Sequence, residues 1–136
     1  MKFGEKVLAA RREMRISRQA LADMTGLSLR TIAYYELENK LPKQRATVEA
    51  LAKALHTEPD VLLDENAEFV IRAGEAYGKQ GAREAQKLVG QIRSLYSGGT
   101  LSEKDMDAMM LAIQDAYWIA KKKRMGKTEA GSDIHD

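Results

Sequence analysis

The chain has 136 residues, of which 44% are hydrophobic and only 6% aromatic, with two prolines and no cysteine. The missing cysteines exclude a disulfide framework and a cysteine-based zinc site, and the scarcity of aromatic residues argues for an all-α chain over a β-sandwich or barrel. The net charge of +2 divides into +3 over residues 1–63 and −1 over residues 64–136, which permits nucleic-acid binding by the first half without demanding it.

Residues 4–14 are predicted as the first helix, because Phe3, Val7, Ala10 and Met14 recur at steps of four and three. Ser17 is a good N-cap for a second helix whose apolar stripe is Ala20, Leu21 and Met24. Gly26 ends it as a left-handed residue. Ser28 caps a third helix with Ile32 and Tyr35 inward, closed by Asn39 and Pro42. A fourth helix is expected over 46–55 with Val48, Leu51, Ala52 and Leu55 inward. Glu58-Pro59-Asp60 opens a short fifth through Val61 and Leu62, with the proline in its first turn.

After Leu63 the pattern changes. Residues 64–66 are expected as a linker, and 67–77 as a helix ending near Gly78. Ala82, Ala85, Leu88, Val89, Ile92, Leu95 and Tyr96 form one apolar seam. Gly98-Gly99 breaks the chain, and Ser102 caps a last helix with Met106, Met109, Met110, Ile113, Tyr117 and Ala120 on one stripe. Two seamed helices joined by a glycine pair predict an antiparallel hairpin. Residues 126–136 are polar and expected to be a disordered tail. No run approaches the roughly 18 apolar residues of a membrane span, and the N-terminus is too charged for a signal peptide, so a cytoplasmic protein is expected.

The segment from Ser17 to Glu36 is the most informative. Two short helical segments around Gly26-Leu27-Ser28, the second rich in polar residues, make a helix-turn-helix pattern. Arg11, Leu21-Ala22, the Gly26-Leu27-Ser28 turn, Thr31-Ile32, Glu36, Pro42 and the run from Leu51 to Leu55 stand at matching spacing without a gap. On these features residues 3–63 resemble the five-helix DNA-binding domain of the lambda-repressor-like (Xre-type) regulators. The resemblance implies a helix-turn-helix DNA-binding domain at 1–63 in an all-α chain; it does not reach residues 67–125, whose seams are what predict a C-terminal helical hairpin extension for dimerisation or partner binding.

The resemblance also implies residue roles. Arg11 would pair with Glu36 as a structural ion pair fixing the first helix against the third. Ser28, Leu29, Arg30, Ala33 and Tyr34 would meet base edges, with Arg30 able to bind guanine O6 and N7 together. Arg18, Thr31, Lys40, Lys43 and Arg45 would contact phosphates, as would the amides at the start of the second helix. Three departures stand out: Arg18 replaces the family's usual glutamine, Arg15 occupies a position where Gly or Asn is common, and Glu38 replaces a glycine. If the left-handed backbone persists, Arg15 carries some strain there and Asn39 takes over the glycine's role.

A single small DNA-binding module buries only about 600–1,000 Å² of protein surface, so specific regulators gain affinity by engaging two half-sites. The apolar seams of 82–96 and 106–120 exceed what one hairpin can bury, which points to a homodimer through residues 67–125; packing against the N-terminal domain, or a protein partner, would also cover them. Lys121 to Arg124 read as a solvated helix end favourable to the dipole rather than a nucleic-acid contact. His56 and His135 are isolated, so no metal site is expected, and no cofactor-binding or catalytic motif is present: there is no HExxH, no phosphate-binding glycine loop and no nucleophile–base pair. The expectation is a homodimeric, sequence-specific repressor that binds double-stranded DNA at an inverted repeat and is not an enzyme. The alternative is an antitoxin-type module that binds a protein partner and uses DNA binding for autoregulation.

Overall fold

The computed structural model describes residues 1–99 and 101–135, with the side chains of all of these except Tyr96 and 125–135. Among them are seven α-helices and no strand: α1 (Phe3–Glu13), α2 (Arg18–Thr25), α3 (Leu29–Glu38), α4 (Arg45–Ala54), α5 (Pro59–Leu62), α6 (Glu65–Ser97) and α7 (Glu103–His135). The chain is all-α. The tail expected over 126–136 lies outside the fully described residues. No helix is long and apolar enough to cross a membrane among the described residues.

Local chemistry sets the helix ends. The Ser17 hydroxyl accepts a hydrogen bond from the Ala20 amide at 3.0 Å, and the Ser28 hydroxyl accepts one from the Thr31 amide at 3.0 Å. Each satisfies a donor that the first turn of a helix leaves open. Gly26 closes α2 in the left-handed region, with φ of 77°. Arg15 and Asn39 adopt positive φ (58° and 53°), as the departures from the family pattern imply. Ser102 caps α7 through the Asp105 amide at 3.1 Å.

Two compact units divide the chain, Met1–Ala85 and Gln86–Asp136. In the first, α1 and α2 pack on α3, and α4 on α2 and α5. Val7, Leu21, Ile32, Val48, Leu51 and Leu62 form the centre of its core. The expected α2 stripe needs correction: Met24 is exposed and Ala22 takes the buried place beside Leu21. On α5, Val61 is exposed while Leu62 and Leu63 are buried.

At Gly4, α1 comes close to the backbone of α3. A Cβ added to Gly4 would collide with the Tyr35 carbonyl oxygen and stand 2.8 Å from Asn39 Oδ1. The obstacle is helix backbone, which no rotamer change relieves. Gly4→Ala should therefore lower stability by about 1–3 kcal/mol, read as a lower urea midpoint with an unchanged slope.

The linker expected at 64–66 is absent. Asp64 caps α6, its Oδ1 accepting from the Ala67 amide at 2.7 Å, and Glu65 and Asn66 lie in the first turn. The first segment of α6 belongs to the N-terminal unit, with Ile71 in the same core as Val7 and Leu21 and Ala67 packed against it. Gly78 then breaks the helix with φ 71° and ψ −160°, a conformation open essentially to glycine alone. The expected end near Gly78 corresponds to this kink.

The second unit holds the end of α6, the Gly98-Gly99 turn and α7. Val89 and Ile92 are buried on one segment, and Met110 and Tyr117 on the other. Ala120, expected on the stripe, is exposed, as is Leu95. Leu111 and Ile119 on α7 are also exposed.

Candidate nucleic-acid interface

The orientation of α3 is fixed from beneath by one buried carboxylate. Glu36 has a side chain with 0% exposure. Its Oε2 accepts from Arg11 Nε at 2.8 Å, and its Oε1 accepts from Arg11 Nη2 at 3.0 Å. This is the two-bond geometry in which a guanidinium matches a carboxylate best. Arg18 Nε donates to the same Oε1 at 2.9 Å. Arg11 Nη1 also donates to the Ile16 carbonyl at 3.0 Å, securing the loop between α1 and α2. Arginines from α1 and α2 thus converge on one glutamate of α3. Burial alone would raise the Glu36 carboxyl, but the hydrogen bonds and charges of Arg11 and Arg18 outweigh it and hold the group below its ordinary range. The Glu36 bond correspondingly raises Arg11.

Tyr35 seats the same helix on α1. It is buried and meets the Phe3 ring edge-on at 5.9 Å, and burial raises its phenol. With Ile32, Tyr35 and Glu36 inward, the outward face of α3 carries Arg30, Ala33, Tyr34 and Leu37. A concavity opens beside this face, lined by Arg30, Thr31, Tyr34, Lys43, Gln44 and Thr47 among others. Two cations and two tyrosines, Tyr34 and Tyr35, therefore line one open hollow between the third helix and the start of the fourth.

Two short helices joined through Gly26-Leu27-Ser28, with the second presenting such a face, are the geometry by which a helix is offered to the major groove. Residues 7–62 match the family model described as Helix-turn-helix. The N-terminal unit is thus similar to a helix-turn-helix domain over these residues. No curated protein and no solved structure matches the chain.

Within this helix-turn-helix domain, the expected ion pair of Arg11 and Glu36 is present and is joined by a second arginine. Arg18, expected at a phosphate, spends its Nε on Glu36 while its side chain stays 34% exposed. Ser28 is the N-cap, and its hydroxyl lies 2.8 Å from that of Thr31, so both serve the start of α3. Leu29, Arg30 and Tyr34 are exposed and Ala33 is half-buried. Lys40 and Lys43 are exposed in the loop after α3.

Arg45 was expected at a phosphate; its partly exposed guanidinium lies among carboxylates, Glu49 at 3.1 Å, Glu68 at 3.4 Å and Asp60 at 3.8 Å. Its amide donates to Glu75 at 3.3 Å. These contacts link α4 to α5 and α6. Sequence reasoning also missed Leu37 and the second partner of Glu36. Leu37 was findable from its seven-residue step after Arg30; nothing in the local sequence pairs Arg18 with a residue 18 positions away.

Proposed function

We propose that this protein is a sequence-specific double-stranded DNA-binding transcriptional regulator, a homodimeric repressor that reads the major groove with residues 28–38. The observation that carries this reading is the outward face of α3, where Arg30 and Tyr34 stand exposed beside Lys43 while Glu36 locks the helix from below. In this reading Ser28, Leu29, Arg30, Ala33 and Tyr34 meet base edges. Lys40 and Lys43 neutralise phosphates, joined by Thr31 and by the exposed edge of Arg18. Arg18 would then bridge a phosphate to the Glu36 clamp. Repression follows from occupying a promoter.

The homodimer is assigned to the part of residues 67–125 that lies beyond Gly78, since the segment before it is packed in the N-terminal unit. Exposed Leu95, Leu111 and Ile119 and the half-buried Leu88, Met106, Met109 and Ile113 in this region support it, because the chain by itself leaves this apolar surface only partly covered. A dimer places two recognition helices about 34 Å apart, matching one helical turn of DNA.

Selection of bound duplexes from a random pool tests the reading, with two inverted half-sites as the expected product. On the selected site, Arg30→Ala should relax preference at one base pair by about 1–3 kcal/mol. Lys43→Ala should instead weaken binding to all sequences and reduce the salt slope by about one. Identical behaviour of the two variants on selected and random DNA would overturn these roles. Enrichment of no sequence would overturn the reading itself.

A further inference from the structure

The outward face of α3 is mostly apolar. Arg30, Ala33, Tyr34 and Leu37 recur at steps of three and four, so they form one stripe, and Arg30 is its single charge. Leu37 is 65% exposed, more than Leu29 at 45% or Tyr34 at 47%. The core of the unit is complete without it: Ile32, Tyr35 and Glu36 fill the inward face. Lone exposed leucines are ordinary, but this one continues a face that already carries Leu29, Ala33 and Tyr34.

We infer that Leu37 is a further specificity-determining residue and that the half-site is a guanine accompanied by thymines, read through their C5 methyl groups. This rests on the DNA-reading function proposed above. In the major groove the thymine methyl is the one apolar group that a base pair displays, and aliphatic side chains recognise it by contact. The cations bordering the stripe, Arg30 within it and Lys40 and Lys43 beyond its end, complement a polyanion rather than an apolar protein surface. Glu38 ends the helix one turn after Tyr34 and bounds the stripe on its far flank. Arg30 and Leu37 lie seven residues apart, about 10 Å along the helix axis. That is the rise of about three base-pair steps, so the thymine read by Leu37 falls within about three steps of the guanine read by Arg30.

The test uses the full chain and the duplex recovered by selection. Each thymine of one half-site is replaced singly by uracil, which deletes only the methyl group, and Kd is measured at fixed salt. The wild-type protein should lose about four-fold in affinity at one or more thymines, the effect of exposing one buried methyl. Leu37→Ala should bind the parent duplex more weakly by a similar factor and show no further loss at one of those positions. Its exposed position leaves folding intact, which circular dichroism verifies. Indifference of the wild type to uracil at every position would overturn the inference, as would full uracil sensitivity in Leu37→Ala. Equal binding of selected and random DNA by the wild type would remove the DNA-reading function as well, and is a separate outcome.

Discussion

Glu36→Gln should destabilise the protein by about 3–5 kcal/mol, because it leaves two guanidinium groups around a site that no longer carries their charge. The substitution keeps size and shape, so lost packing does not explain the effect. Arg11 is the more buried partner, with a side chain 12% exposed against 34% for Arg18, and its loss should cost more than that of Arg18. Urea unfolding at neutral pH measures all three variants. A Glu36→Gln loss under 1 kcal/mol would refute the role of the pair.

The same carboxylate sets an acid limit. Arg11 and Arg18 overcome the burial that would otherwise raise Glu36, so its folded value lies below the unfolded one. The stability it contributes is complete above the ordinary carboxyl range, about pH 4–4.5, and drains away as pH falls through the lower folded value. Wild-type Tm should therefore fall more steeply than that of Glu36→Gln below about pH 4. Parallel curves would exclude Glu36 as the group responsible.

Phe69→Ala should cost a further about 3–5 kcal/mol in an independent experiment, the range for emptying a fully buried aromatic site. Phe69 is 2% exposed, and Val70, Ile71 and Ala73 beside it are buried too. Three consecutive buried residues on one helix mean that it is covered on more than one side. The first segment of α6 is thus part of the folded N-terminal unit, and a chain cut after Asp64 would strip Ala67 and Ile71 from the core. Chemical unfolding of Phe69→Ala measures the loss. A variant within 1 kcal/mol of wild type would mean that this segment is dispensable.

Much of the domain was legible residue by residue. Ser17, Gly26, Ser28 and Ser102 mark their helix ends through hydrogen bonds that reach only a few positions along the chain, so the sequence contains both partners. The inward positions Val7, Leu21, Ile32 and Leu51 follow from helical period for the same reason. Met24 and Ala120 show the limit of period alone. A stripe's edge residues are buried or exposed according to the width of the neighbour, which the helix itself does not encode.

The candidate site divides along the same line. Arg30 and Tyr34 were identifiable because exposure on a helix opposite Ile32 and Tyr35 is a local property. Arg18 and Arg45 were not. Each is a long cation whose partner is chosen by what folding brings within about 4 Å, the reach of an ion pair. Arg18 found Glu36 from another helix, and Arg45, besides its neighbour Glu49 one turn along the same helix, found Asp60 and Glu68.

By itself, then, the sequence determined the all-α class, the helix-turn-helix with its caps, and the face that α3 turns outward, since all of these depend on spacings of three to four residues. Only the tertiary structure decided that two arginines share Glu36, that Arg45 meets Asp60 and Glu68, and that residues 64–77, expected as a linker at 64–66 and the start of the C-terminal region, join the first unit. Those outcomes depend on which surfaces meet across distant segments, and apolar period records that a face is buried without recording what buries it.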